Sequence, residues 1–234
     1  MGIPLSLSPS QPIDRAALRT RLEQLCRTHG SATLAHQPSG FPELDAHLGG
    51  GWPTGALTEC LLDTCGIGEL SLWMPALRKI ALEKRYIAFI TPPFLPYAPA
   101  LVQHGISLKQ VLVIDCNSAE ESLWATEQTL RCASFGAVLS WSRTERSLTD
   151  KQLRRLQLAA EAGRNLGVLY RPLAAAQSAS PAALRIKLQA NIFTSTSSPN
   201  CIQVVIHKCR GGRSGMTVQC APDRYGLDHT PQAA

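Results

Sequence analysis

Residues 57–70, LTECLLDTCGIGEL, decide the fold, because an apolar run leads here into a turn that contains glycine. In a nucleotide-binding α/β fold this is the place of the phosphate loop, which reads G-x-x-x-x-G-K-[S/T]. The four key places of that motif hold Asp63, Gly68, Glu69 and Leu70, and Gly66 adds a glycine within the turn. Only one of the four motif residues is kept, so the sequence predicts a degenerate phosphate loop.

The charge of the turn argues against a nucleotide cofactor. Replacing the motif lysine by Glu69 changes the local charge by two units. Each unit beside a phosphate is worth about 4 kcal/mol at contact distance and an effective dielectric constant near 20. Micromolar affinity amounts to only about 8 kcal/mol in total. We therefore expect no bound nucleotide and no other cofactor.

Short apolar runs alternate with helical patterns on the C-terminal side of this stretch. The runs RYIAFIT, VLVID, AVLSWS and GVLYR read as buried strands. Strand and helix in repetition predict a mostly parallel central sheet flanked by helices. LRIKLQA, CIQVVIHK and GMTVQC then follow with the glycine-rich turn CRGGRSG between the last two. This end of the chain predicts an antiparallel C-terminal hairpin at one edge of an α/β fold.

The domain organisation follows from composition and periodicity. We predict a flexible leader at residues 1–12, an N-terminal helix and linker at 13–40, one α/β domain with a degenerate nucleotide site at 41–222, and a flexible tail at 223–234. In the first helix Leu18, Leu22 and Leu25 recur on one face, which packs either on the body or on a partner. A capping box at Thr149 predicts the start of a second helix, and Gly163 is predicted to end it.

Composition excludes several functional classes. A hydrophobic content of 44% suffices for a buried core, and the sequence has neither a run of membrane-spanning length nor a signal peptide. We expect a soluble, cytoplasmic protein without a membrane partner. The eight cysteines form no CxxC pair and are predicted to be thiols. A zinc site could be considered at His207, Cys209 and Cys220. A structural zinc needs four ligands, however, so no metal is expected.

The net charge of +6 permits an acidic partner. Lys208, Arg210 and Arg213 lie in the glycine-rich turn without a neighbouring acid, and residues 143–155 hold five bases against two acids. The turn is a candidate surface for a protein partner or for weak, non-specific contact with a DNA backbone. A simply solvated turn is the alternative.

Longer stretches resemble known families. SGFPELDAHLGGGWPTGALTE, residues 39–59, resembles the entry into the RecA-type core. The run from residue 39 to 220, with GGGWP, GALTE, ITPP and the terminal HKCRGGRSG, resembles the ImuA family of RecA-like proteins. Residues 72–190, with ITPP, LTDKQL and YRPL, are also similar to the cell-division inhibitor SulA.

The RecA resemblance implies where an ATPase would carry its other polar residues. The catalytic acid would fall near Pro93, the magnesium-holding aspartate at Trp141, and the sensor group near Leu173. None of these side chains can do that chemistry. The two DNA loops of RecA would correspond to SRTERSLTD and RPLAAAQSASPAAL. The second has Arg171 as its only charge and no aromatic residue, so we expect no specific binding of single-stranded DNA there. We therefore expect no catalytic residue and no enzyme.

The ImuA resemblance implies a non-catalytic RecA-fold adaptor in SOS-induced translesion DNA synthesis. Its partners would be an ImuB-type inactive Y-family polymerase, an error-prone DnaE-type polymerase and RecA. The SulA resemblance implies the alternative, an inhibitor that binds the tubulin-like division protein FtsZ.

Overall fold

The computed structural model describes residues 15–26, 36–142, 148–190 and 201–221, with the backbone alone for residues 22–26. The helices are α1 (Arg15–Cys26), α2 (Pro42–Leu48), α3 (Met74–Leu82), α4 (Ala98–Gln103), α5 (Ala119–Arg131) and α6 (Asp150–Gly163). The strands are β1 (His36–Gln37), β2 (Trp52–Pro53), β3 (Ala56–Leu62), β4 (Tyr86–Ile90), β5 (Val111–Ile114), β6 (Phe135–Trp141), β7 (Leu166–Pro172), β8 (Leu184–Ala190), β9 (Ile202–Cys209) and β10 (Thr217–Cys220). Short 3-10 helices span Ser71–Trp73, Leu108–Gln110 and Leu173–Gln177.

Eight strands form one sheet in the order β10-β9-β8-β3-β7-β6-β4-β5. The six strands from β8 to β5 run parallel, whereas β9 and β10 are antiparallel to their neighbours. β3 lies between β7 and β8, and the hairpin β9–β10 forms one edge. The predicted fold class, a mostly parallel sheet flanked by helices with an antiparallel C-terminal hairpin, is confirmed.

Both faces of the sheet are covered, which explains the nearly continuous apolar runs of its strands. In β4, Ile87 and Phe89 point into the cluster that contains α2 and α3. Ala88 and Ile90 point into the cluster on the other face, where α5 and α6 pack. Because the six strands from β8 to β5 are parallel, their carboxyl ends lie at one edge of the sheet. The loops at that edge include the degenerate phosphate loop.

The helix prediction is confirmed, and the linker prediction needs correction. The capping box at Thr149 is present and α6 ends at Gly163, with Arg164 after it in the left-handed conformation at φ of 51°. Gly163 is needed for packing, because a Cβ there would lie 1.8 Å from the carbonyl oxygen of Leu130 on α5. Part of the predicted linker also forms β1, which pairs with β2 in a separate two-stranded sheet. The leader and the tail lie outside the described residues.

No helix in the described part of the chain is long and apolar enough to cross a membrane.

Candidate functional site

The degenerate phosphate loop, residues 63–70, is closed by its own side chain. Gly66 and Gly68 have positive φ of 87° and 91°, which a glycine-rich turn requires. The N–H of Gly66 donates to the carboxylate of Glu69, at 3.0 Å to Oε1 and 3.1 Å to Oε2. Glu69 is only 6% exposed. Its carboxylate therefore takes the backbone donor that a phosphate would need, in addition to placing a negative charge there.

The helix after the loop starts too late to help bind a phosphate. Ser71–Trp73 forms a 3-10 helix, and α3 begins at Met74 with Pro75 in its first turn. The first backbone N–H groups of α3 are thus separated from the loop by this 3-10 helix, whereas a phosphate site uses the N–H groups of a helix that starts at the loop.

The groups beneath the loop are not activated for catalysis. Burial, and next the charge of Glu69, raises the pKa of Cys60 well above its usual value. The same two causes raise the pKa of Cys65. Burial also raises the pKa of Tyr170 well above its usual value. A nucleophilic thiol requires the opposite shift, so both cysteines stay protonated at neutral pH.

The space at the ends of β3, β6 and β7 is too small for a nucleotide. A cavity of about 150 Å³ lies there, bordered by Cys65, Trp141 and Tyr170. Pockets for organic ligands usually measure about 300–1,000 Å³. The rings of Trp141 and Tyr170 stack with centroids 4.4 Å apart and fill the region where the RecA resemblance expects a magnesium-holding aspartate. Pro93 lies in the loop after β4, Leu173 begins the 3-10 helix after β7, and neither side chain carries a polar group.

Beside this loop the chain exposes an apolar loop, which we define as residues 91–97, TPPFLPY. Phe94, Leu95 and Tyr97 are 69%, 73% and 72% exposed. A Cβ built on Gly66 would lie 3.8 Å from the ring of Phe94, so the apolar loop and the degenerate phosphate loop are neighbours. The sequence reasoning used ITPP as a family motif and as an empty catalytic position, and it did not predict an exposed surface there. The missed signal was a segment between a strand and a helix in which three prolines occur among large apolar residues.

The apolar loop is held in a defined path. Thr91 adopts φ of 53°, an unusual conformation for a β-branched residue. Its N–H donates to the carbonyl of Ile114 at 2.7 Å, and its hydroxyl donates to the hydroxyl of Ser122 at 3.1 Å. These bonds fix the sharp exit from β4, and the prolines restrict the residues that follow. The loop is therefore both exposed and preorganised.

A buried ion cluster lies on the central strands. Glu59 on β3 is fully buried, and its carboxylate accepts from Arg171 Nη1 at 2.8 Å and from Arg185 Nε at 2.7 Å. The hydroxyl of Ser180 also donates to Glu59, at 2.8 Å. Arg185 further donates to the carbonyls of Ala175 and Ser178. The cluster thus fixes the segment between β7 and β8 to the core.

This arrangement corrects the prediction for Arg171. The sequence reasoning placed it as the single charge of a surface loop, but it lies on β7 and is buried against Glu59. The signal for the cluster was a glutamate inside the apolar run LTECLL, since a charge is rarely buried without a partner.

The three cations of the basic turn, Lys208, Arg210 and Arg213, make different contacts. Lys208 is half-buried and donates from Nζ to the carbonyl of Ser180 at 2.8 Å. Arg210 is exposed and lies 3.4 Å from the carbonyl of Pro181. Arg213 is also exposed, and its backbone N–H donates to the carbonyl of His47 in α2. The two side chains of Lys208 and Arg210 thus contact the segment before β8, and the backbone of Arg213 contacts α2.

Leu18 is buried in the cluster formed with α5 and α6. Of the two alternatives for the first helix, this residue packs on the body and cannot serve a partner. The side chains of Leu22 and Leu25 lie outside the described residues.

Within the ranges that the structure describes, no group of three or more metal-ligating residues is found, so His207, Cys209 and Cys220 do not form a site of that size. The prediction of free thiols is wrong at Cys132, which is disulfide-bonded.

Together, fold and site define an α/β domain whose degenerate phosphate loop is closed by its own side chain and bordered by an exposed apolar loop. Residues 62–167 match the family of the cell division inhibitor SulA. This segment begins at the degenerate phosphate loop and contains the apolar loop.

Three relatives bear the name "Cell division inhibitor SulA". The protein of Edwardsiella piscicida is 35% identical over 44% of this chain and 60% of its own length. That of Photorhabdus laumondii is 29% identical over 42% of this chain and 54% of its own length. That of Cronobacter turicensis is 27% identical over 63% of this chain and 83% of its own length. The chain thus spans little more than half of the first two relatives, and the matches show a similarity to SulA proteins over part of the chain.

The matches overturn the main functional prediction. A role as an ImuA-type adaptor in translesion synthesis is wrong, because the relatives are named as division inhibitors. The ImuA identity within the wider superfamily is not shown. The predicted partners of that role, the ImuB-type protein, the DnaE-type polymerase and RecA, are not addressed by these matches. The absence of an enzymatic function is compatible with the family.

Proposed function

We propose that the protein is a non-catalytic inhibitor of cell division that binds FtsZ and prevents its polymerisation. The names of the relatives suggest the process, and the apolar loop suggests the means. A role in the SOS response fits this class of inhibitor. Inhibition by contact requires no turnover, which agrees with a phosphate loop closed by Glu69 and thiols that stay protonated.

The observation that carries the proposal is the exposure of Phe94, Leu95 and Tyr97 on one short loop. Aromatic side chains such as those of Phe94 and Tyr97 are enriched in protein interfaces, and tyrosine is common at their energetic centres. Their loop is ordered before binding by Thr91 and by the prolines, so association loses little conformational entropy. The loop lies inside residues 62–167, the part that matches the family of division inhibitors.

Polymerisation of purified FtsZ from the same organism tests this proposal. FtsZ is incubated with GTP and increasing amounts of the protein, and polymer is measured by sedimentation. We expect polymer to be lost near equal concentrations, because each inhibitor would withdraw one FtsZ subunit. Unchanged polymer at equal concentrations would remove FtsZ inhibition as the function.

A triple variant, Phe94→Ala with Leu95→Ala and Tyr97→Ala, tests the surface. Losing an interface centre of at least 2 kcal/mol weakens inhibition by about 30-fold or more. The matched control replaces three exposed leucines elsewhere, Leu82, Leu108 and Leu158, by alanine. Equal loss in both variants, or none in the first, would place the contact on another surface while leaving FtsZ inhibition itself standing.

Expression in a bacterial host gives an independent measure. The wild-type protein is expected to cause filamentous cells, and the triple variant of the apolar loop to leave cell length normal at the same protein level.

A further inference from the structure

An open groove of about 550 Å³ lies between the first turn of α6 and the segment that leads into β8. Its walls are Asp150, Lys151 and Arg154 on the helix and Ala179, Ser180 and Pro181 on the segment. Lys151 and Arg154 are exposed. The groove is outside the apolar loop and unrelated to the proposed contact with FtsZ.

Further cations stand behind the segment wall. Lys208 donates to the carbonyl of Ser180, and Arg210 lies 3.4 Å from the carbonyl of Pro181. Among the described residues, four cations thus border the groove or the segment that forms its wall, and Asp150 is the carboxylate in the groove lining. Deeper in the same wall, Arg171 and Arg185 share one buried carboxylate, that of Glu59. The positive charge of this region therefore exceeds its negative charge at the surface and in the interior.

Two details agree with this excess. The pKa of Lys208 is lowered, first by burial and then by the charges of Arg210 and Arg185. Lys151 and Arg154 also lie in the first turns of α6, where the helix dipole favours acidic residues over basic ones. Helix stability therefore does not explain these two cations.

The wall that faces them is rigid and presents few acceptors. The carbonyls of Ala175, Ser178 and Ser180 are bound by Arg185 and Lys208. Since these oxygens point at cations behind the segment, they do not offset the positive charge on the groove side.

We propose that this groove binds the sugar–phosphate backbone of nucleic acid. Its described walls hold point cations and no aromatic residue, so it offers phosphate contacts without a platform on which a base could stack. A protein partner would require a buried apolar centre, which this surface lacks and the apolar loop has. Binding is therefore independent of base sequence and strongly dependent on salt.

Fluorescence anisotropy with a labelled duplex and a labelled single strand tests the proposal on the full chain. The groove variant is Lys151→Glu with Arg154→Glu, and the matched control is Lys79→Glu with Lys109→Glu. Both pairs are exposed and lower the net charge equally. We expect wild type and control to bind at about 50 mM salt, and the groove variant to bind about tenfold or more weakly with a salt slope reduced by about two.

A milder variant, Lys151→Gln with Arg154→Gln, serves if the charge reversal disturbs folding, and it should weaken binding in the same direction. The proposal is overturned if wild type binds neither probe at concentrations up to about 100 µM in low salt. Equal weakening by groove and control variants would show a general charge effect and overturn it too. Binding of polyglutamate without binding of either nucleic acid would assign the groove to an acidic protein instead.

Discussion

The carboxylate of Glu69 accepts a hydrogen bond from the backbone N–H of Gly66, three residues earlier in the same loop. A phosphate loop normally leaves such N–H groups free for its ligand. Here an internal anion already occupies the donor, so an external phosphate would have to displace a buried carboxylate as well as approach its negative charge. The same contact gives the loop an ordered shape without ligand.

Replacing Glu69 by alanine should lower the free energy of unfolding by about 1.5–3 kcal/mol, the usual worth of a hydrogen bond to a charged group. Glu69→Gln keeps an acceptor and should lose less. Urea unfolding measures both, and Glu83→Ala, at an exposed position, is the control and should change little.

Mg-ATP should leave the melting temperature of the wild type unchanged, because a ligand raises it only by binding the folded state. A rise of several degrees with Mg-ATP would contradict the closed loop.

The ion pairs between α5 and α6 predict a pH dependence of stability. Glu127 on α5 accepts from Arg131 on its own helix and from Arg155 on α6. Burial raises the pKa of Glu127, but the hydrogen bonds and charges of the two arginines outweigh it, so the pKa lies below its usual 4.5. Because the folded-state pKa is the lower one, this stabilisation is present above about pH 4.5 and disappears as the pH falls through the folded-state pKa.

Glu127→Gln should therefore be less stable than wild type by about 0.5–1 kcal/mol at pH 7, since both arginines are half exposed. The difference should shrink as the pH falls below 4.5. Denaturant unfolding at several pH values measures it. A difference that stays constant down to acid pH would show that the loss has a cause other than the charge of Glu127.

The sheet could be predicted from the sequence because its strands are short, apolar and separated by helical patterns. The degenerate loop was recognisable at Glu69 because the motif fixes which residue types bind phosphate. Two features escaped the sequence because they depend on distant residues. The carboxylate of Glu59 meets Arg171 and Arg185 only when three strands lie side by side. The exposure of the apolar loop also could not be predicted, because it depends on whether a distant part of the chain packs over it.

At Gly163, helix propensity favours alanine, whereas packing favours glycine. Alanine is favoured over glycine inside a helix by about 1 kcal/mol. A Cβ at Gly163 would nevertheless lie 1.8 Å from the carbonyl oxygen of Leu130, a backbone atom that cannot rotate away. We expect Gly163→Ala to destabilise the protein by about 1–3 kcal/mol, as overpacking does. Ala162→Gly at the exposed neighbour is the control and should cost at most about 1 kcal/mol. A stabilising Gly163→Ala would mean that α5 and α6 separate easily.

The buried cluster of Glu59, Arg171 and Arg185 predicts a large loss when only its anion is removed. Glu59→Gln leaves two buried guanidinium groups without a counter-charge, so the free energy of unfolding should fall by about 3–5 kcal/mol. The expected loss for Glu83→Gln, at an exposed position, is near zero.

Replacing all three charges by apolar residues separates charge from packing. In the triple variant Glu59→Leu with Arg171→Met and Arg185→Met, no buried charge remains, so most of the stability should return. The return should be incomplete, because Arg185 also donates to the carbonyls of Ala175 and Ser178, and those oxygens then lose their partner. Urea unfolding of the two variants beside wild type measures this. If the triple variant were less stable than Glu59→Gln alone, the ion cluster would be stabilising in itself, and its uncompensated charge would not be the cause of the loss.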